Sequence, residues 1–173
     1  MKRLLIIGAG GHGKVVAETA VACGYEISFL DDKLGEGVVG EVSDLERFVD
    51  QYDEFFVGIG DNKTRRDISG RFLKIGAEIA ILVHPTAYVS LTAKLSKGAI
   101  VEPMALVNTN SVIGAGVIVS VGSVIDHDVV VGDYAHINAG SICKGGAIIA
   151  SERKLEAGEM VMAIIEKPCP VYY

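Results

Sequence analysis

The residues best suited to chemistry in this chain are Asp126-His127-Asp128, a histidine between two carboxylates in a stretch otherwise dominated by valine, isoleucine and glycine. A carboxylate beside an imidazole fixes its tautomer and raises its basicity, which suits a general base. The plainer alternative is an exposed corner histidine with two solvated aspartates. His136 also projects outward by register, either into the same groove or simply onto the surface. A second constellation lies near the start, where Gly8-Ala9-Gly10-Gly11-His12-Gly13-Lys14 follows an apolar run. Gly8, Gly10 and Gly13 have the spacing of dinucleotide-binding turns, in which glycine permits the tight bend and a helix N-terminus offers N–H groups to phosphate. The same residues spell G-x-x-x-x-G-K, but Val15 follows where a P-loop needs a hydroxyl for magnesium, which argues against that class. A strand-to-helix turn without a ligand remains open. His12 taken alone reads as a loop residue facing solvent. Asp31 and Asp32 end the next apolar run, where they either meet a ribose or base or are solvated strand-end charges.

Those residues need elements to hold them. Residues 3–8, Ile27 to Leu30 and Phe55 to Ile59 read as strands, with helical patterns after the glycine turn and over Lys63 to Ile75. The alternation predicts a small parallel α/β unit, Rossmann-like, over residues 1–82. A full dinucleotide site needs two such halves, so about eighty residues suit one nucleotide or nucleotide sugar.

From Val83 the chain changes rhythm. Every sixth residue is aliphatic or nearly so, from Val83, Val89, Leu95 and Val101 through Ile137, Cys143 and Ile149, and four residues after most of these stands Ala or Ser. A period of six fits neither a helix nor an unbroken strand, so each hexad is a short strand plus a corner. Three hexads close a triangular coil and residues eighteen apart stack, giving about four coils and a prism roughly 19 Å tall at about 4.8 Å per strand. Leu155 and Val161 keep the step of six, but the small slots become Arg153 and Glu159, which do not belong in a dry core. The prism is therefore expected over residues 83–150, ending near Ile149. Residues 151–173 are expected to cap its open strand edges, closing on Lys167-Pro168-Cys169-Pro170.

Composition narrows the partners. With 173 residues, a net charge of −6 and a pI near 5.2, the chain lacks the basic surface that nucleic acid or anionic membranes require. Cys23, Cys143 and Cys169 are odd in number and lack metal-ligand spacing, so they read as small hydrophobes in a reducing compartment, with no metal expected. The apolar run after Met1-Lys2-Arg3 is too short for a signal peptide and no eighteen-residue apolar span exists, so the expectation is a soluble, cytoplasmic protein.

The ordered set GAGGHGK, FLDD, GIGDNKTRR, SVIDHD and GDYAHINAG, spread over residues 1 to about 148, resembles the sugar acyltransferases of the left-handed parallel β-helix superfamily. The nearest group acetylates nucleotide-linked amino sugars or sialic acid in bacterial glycan synthesis. The resemblance implies a left-handed coil, a homotrimer with sites between neighbouring prisms, acetyl-CoA as donor and a UDP-sugar or sialic-acid-type acceptor. It makes His127 the general base, oriented by Asp128, with His136 near the acetyl group and the Gly145 N–H facing the carbonyl oxygen. It sets Gly10, Gly11 and His12 against phosphates, Asp31, Asp32 and Lys33 near uridine, and Gly60, Asp61 and Asn62 along the pocket border. Ser120 departs from the asparagine that relatives often carry seven residues before the catalytic histidine, which leaves the sugar and the choice of amine or hydroxyl open. A non-catalytic trimeric nucleotide-sugar-binding or scaffolding protein, with a degenerate CoA slot, is the rival reading.

Overall fold

A computed structural model describes residues 1–163. The N-terminal unit runs β1 (Arg3–Ile7), α1 (Gly11–Ala22), β2 (Glu26–Leu30), β3 (Val38–Gly40), a 3₁₀ segment (Val42–Phe48), β4 (Glu54–Val57) and α2 (Asn62–Ile75). Its four strands form one parallel sheet in the order β3-β2-β1-β4. Strands β1 and β4 are apolar along nearly their whole length because both faces are covered. The sequence pattern did not single out β3 or the 3₁₀ segment, which lie in a polar, glycine-containing stretch without period. The glycine turn is tight for a physical reason: a Cβ on Gly13 would sit 2.0 Å from the Gly8 carbonyl oxygen, so helix and turn can meet only through glycine.

The rest is a left-handed parallel β-helix of two-residue strands in three parallel sheets. The first face holds β5 (Leu82–Val83), β8 (Ile100–Val101), β11 (Ile118–Val119) and β14 (His136–Ile137). The second holds β6 (Tyr88–Val89), β9 (Leu106–Val107), β12 (Val124–Ile125), β15 (Ile142–Cys143) and β17 (Met160–Val161). The third holds β7 (Lys94–Leu95), β10 (Val112–Ile113), β13 (Val130–Val131) and β16 (Ile148–Ile149). The second residue of each strand points inward, and Val101 through Ile149 are buried on this register together with the small residues from Ala99 through Ala147. The inward serines are satisfied rather than merely small: Ser111, Ser123 and Ser141 donate to the carbonyls of Asp126, Ser120 and Glu156.

One expectation needs correction. The stack does not end at Ile149: Leu155 is fully buried, and β17 pairs in register with β15. Arg153 and Glu159 stay out of the core, joined to each other at 2.7 Å, while Glu159 also accepts the Glu156 N–H. The inward aliphatic step thus survives without its small partner. The Lys167-Pro168-Cys169-Pro170 closure lies outside the described residues.

The first face is covered by the N-terminal unit. Its outward residues Leu82, Ile100 and Ile118 share one buried cluster with Val16 and Ala20 of α1 and Ala80 of the connection. His136 occupies the corresponding place on β14, so it borders this seam.

Candidate active site

The site residues fall into two neighbourhoods. The first is the seam between the two units. Gly8, Gly10, Gly11, His12, Asp31, Asp32, Gly58 and Gly60 line one cavity of about 310 Å³ at the C-terminal ends of the strands. A second, of about 700 Å³, lies beside it against Lys14, Ile27, Phe29, Asp31 and Lys33. Asp31 is held by the turn itself: it accepts the Ala9 N–H at 2.7 Å and the Lys33 N–H at 2.8 Å, and these two bonds keep its carboxyl below the usual range. Asp32 accepts the Val42 N–H at 3.1 Å. Asp61 and Asn62 are engaged elsewhere, for Asp61 caps α2 through Thr64 and the Asn62 amide donates to the Glu152 carbonyl.

His12 is not a solvent-facing loop residue. It lies in the first turn of α1 with its ring largely buried, 3.7 Å from the Glu102 carboxylate and 6.4 Å, centroid to centroid, from the His136 ring. His136 Nε2 shares a hydrogen bond with Ser120 Oγ at 3.1 Å. Burial first, then neighbouring positive charge, pushes both imidazoles down to about 4, so they are neutral at physiological pH and the His12–Glu102 approach is a polar contact rather than an ion pair. Burial conversely raises the Glu102 carboxyl, which accepts the Val121 N–H at 2.9 Å. Among the described residues His12 Nε2 and His136 Nδ1 are buried without a full hydrogen-bond partner, although the Gly60 backbone lies near enough to His136 to offset a little of its downward shift.

The second neighbourhood is the corner between β12 and β13. His127 Nδ1 lies 2.8 Å from Asp128 Oδ2, and toward a carboxylate the ring nitrogen is the donor. That leaves the Nε2 lone pair free to take a proton. The Asp128 hydrogen bond, followed by the Asp126 charge, raises the His127 pKa above its ordinary 6.5. One coil below, Asn108 and Asn110 donate to Asp126 and Asp128, at 3.3 and 3.2 Å. One coil above is Gly145, where a Cβ would lie 2.7 Å from His127 Nε2. The imidazole edge therefore occupies space that only glycine leaves. The Gly145 N–H also helps hold Asp126 low, as the smallest of several causes led by the His127 N–H.

His127 and His136 do not line one groove in a single chain. The former sits where the second face meets the third, the latter on the first face. Sequence reasoning passed over Glu102, Asn108, Asn110 and Arg65. The asparagines were recoverable, since each stands eighteen residues before an aspartate of the triplet and so stacks beneath it.

Residues 3–72 match the family described as PglD N-terminal domain. The acetyltransferase domain of PglB from Neisseria gonorrhoeae, solved with acetyl coenzyme A, is 36% identical, with a TM-score of 0.90 over 94% of this chain and 82% of its own. This chain belongs to the PglD-like hexapeptide-repeat sugar acetyltransferases. The perosamine N-acetyltransferase of Caulobacter crescentus, solved with CoA and GDP-perosamine, is 29% identical with a TM-score of 0.86 over 94% of this chain and 90% of its own. The curated UDP-N-acetylbacillosamine N-acetyltransferase of Bacillus subtilis is 32% identical over 112 residues, or 58% of this PglD-like chain. The match spans about half the length of that relative. Among the described residues there is no metal-binding cluster and no helix long and apolar enough to cross a membrane.

Proposed function

We propose that this protein transfers an acetyl group from acetyl-CoA to the amine of a nucleotide-linked sugar, with His127 as general base. The observation that carries the reading is the His127 imidazole: one nitrogen is bound to Asp128 and the other lies bare in the space left by Gly145. As the amine lone pair attacks the thioester carbonyl, the C–N bond forms, His127 Nε2 takes the amine proton and the C–S bond breaks. The proton then passes to the departing sulfur, giving CoA thiol and an acetamide. No covalent enzyme intermediate is required. The Gly145 N–H, which also faces the Asp126 carboxylate, is the donor assigned to the carbonyl oxygen, where negative charge develops.

The nucleotide is assigned to the two cavities around the glycine turn, with Gly10, Gly11 and His12 toward phosphate and Asp31, Asp32 and Lys33 toward the nucleoside. A homotrimer completes the site by bringing the His127 corner of one copy to the Ser120–His136 seam of the next. An apolar ladder flanks that corner, with Val112, Val130 and Ile148 exposed in register on the third face. Exposed apolar rows of this kind favour association. A cytoplasmic location, where acetyl-CoA and nucleotide sugars are available, completes the assignment. An amine acceptor is preferred over a sialic-acid hydroxyl because the named relatives are N-acetyltransferases.

The test follows CoA thiol release with acetyl-CoA and a panel of UDP- and GDP-linked amino sugars and free sialic acids. Turnover with a nucleotide-linked amino sugar is expected. Tight nucleotide-sugar binding without turnover anywhere on the panel would favour the scaffolding reading.

A further inference from the structure

Arg65 is 1% exposed, and no carboxylate pairs with it among the described residues. A buried guanidinium is costly unless every donor is used, and here the donors are spread over both units. Nε donates to the Gly116 carbonyl at 2.7 Å. Nη1 donates to the carbonyls of Ile59 and Gly60 at 3.1 and 3.2 Å. Nη2 donates to Asn62 Oδ1 and the Tyr134 carbonyl, both at 2.8 Å, and more weakly to Ala135 at 3.4 Å.

The acceptors form a pattern. Gly116, Tyr134 and Glu152 are eighteen residues apart, so they stack at one corner of the prism, and all three have left-handed φ values of 61°, 57° and 59°. The start of α2 grips this column coil by coil: Arg65 takes the Gly116 and Tyr134 carbonyls, the Asn62 amide takes the Glu152 carbonyl, and Arg66 pairs with the Glu152 side chain. The same guanidinium holds the Ile59–Gly60 backbone at the cavity floor. It also holds the Tyr134–Ala135 backbone that leads directly into His136.

We propose that Arg65 is a positioning residue for acetyl transfer, a fork that fixes the acceptor-loop backbone against the strand bearing His136. This inference rests on the acetyltransferase reading above. A lysine could keep the charge but not the fork, because its donors radiate from one atom and cannot reach carbonyls on opposite sides. Arg65→Lys should therefore leave intact the larger cavity beside Lys14, Phe29 and Lys33, which the guanidinium does not touch, while loosening the Ile59–Gly60 backbone over the prism. A misplacement of about 1 Å can cost roughly a hundredfold in rate, so kcat should fall by roughly ten- to a hundredfold.

The experiment compares wild type, Arg65→Lys and Arg65→Met in three measurements: kcat and KM by thiol release, UDP or GDP affinity by calorimetry, and thermal unfolding. Arg65→Met fills similar volume without a charge to desolvate, so it remains informative if the lysine variant does not fold. Arg47→Gln, which loses only the exposed Asp44 pair on the 3₁₀ segment and touches neither the column nor the cavities, should match wild type in turnover. The expected result is a lowered kcat in the folded variants with nucleotide affinity within about threefold of wild type, a split that general destabilisation would not produce. Wild-type kcat in either folded variant, or nucleotide affinity falling in parallel with kcat, overturns the assignment. Absence of turnover in the wild type across the panel overturns the acetyltransferase reading instead and removes this inference with it.

Discussion

Replacing Gly145 by alanine isolates the His127 geometry from the stability of the prism. The added Cβ would stand 2.7 Å from Nε2 and 2.8 Å from Cε1 of His127, against 3.4 Å where ordinary contact begins. The ring must therefore retreat by about 0.7 Å or rotate away, and a shift approaching 1 Å at a reacting centre costs up to roughly a hundredfold in rate. The prism itself should not suffer. Gly145 has no left-handed φ, the clash is with the free end of a half-exposed side chain, and Gly→Ala at a compatible backbone stabilises by about 0.4–1 kcal/mol through the unfolded chain. The expectation is an unchanged or slightly raised Tm with kcat reduced by roughly ten- to a hundredfold, measured by thermal unfolding and thiol release on the same preparation. A folded G145A protein with kcat within twofold of wild type would refute the claim that the His127 imidazole edge is placed by the absent side chain.

Two pH effects have opposite origins. His127 acts as a base only when neutral, and its pKa is raised by Asp128, so the ascending limb of kcat/KM should lie above pH 6.5. Asp128→Asn, which tolerates the left-handed φ of 57° at that corner, should move the limb to lower pH while reducing the plateau; a limb that stays put would break the assignment. His12 and His136 shift the other way, to about 4 in the fold against 6.5 unfolded, so the unfolded chain binds more protons between those values. Their contribution is present above pH 6.5 and is lost as pH falls toward 4, on the order of 3 kcal/mol for each histidine at full protonation of the unfolded chain. In urea titrations His136→Gln should flatten that acid slope relative to wild type, and parallel slopes would contradict it.

The prism was legible in the sequence because its determinant is local and repeated. Each inward aliphatic meets the same requirement six residues on, and stacking at eighteen places Gly145 above His127 and the asparagines below its aspartates. The glycine turn was legible for a similar reason, since Gly8 and Gly13 meet within one turn of chain. What escaped notice comes from contacts with no period. His12 looks like a loop residue until α1 is laid on the first face, where Glu102 and His136 enclose it. Arg65 reads as one charge of a polar helix until its carbonyl partners on the prism, fifty and more residues away, are brought beneath it. The last coil misled differently: Arg153 and Glu159 break the small-residue rule, yet Leu155 and Val161 carry the stack while the two charges pair with each other outside the core.

The central claim is that His127 removes the acceptor proton. It is tested most directly by the kcat of His127→Ala against wild type, at saturating acetyl-CoA and nucleotide-linked amino sugar, with matched unfolding curves. His127 is half exposed and buries little, so its removal should leave the Tm near wild type while kcat falls by roughly 10²- to 10⁴-fold, the usual contribution of a positioned base. A folded His127→Ala protein turning over at the wild-type rate would contradict the account.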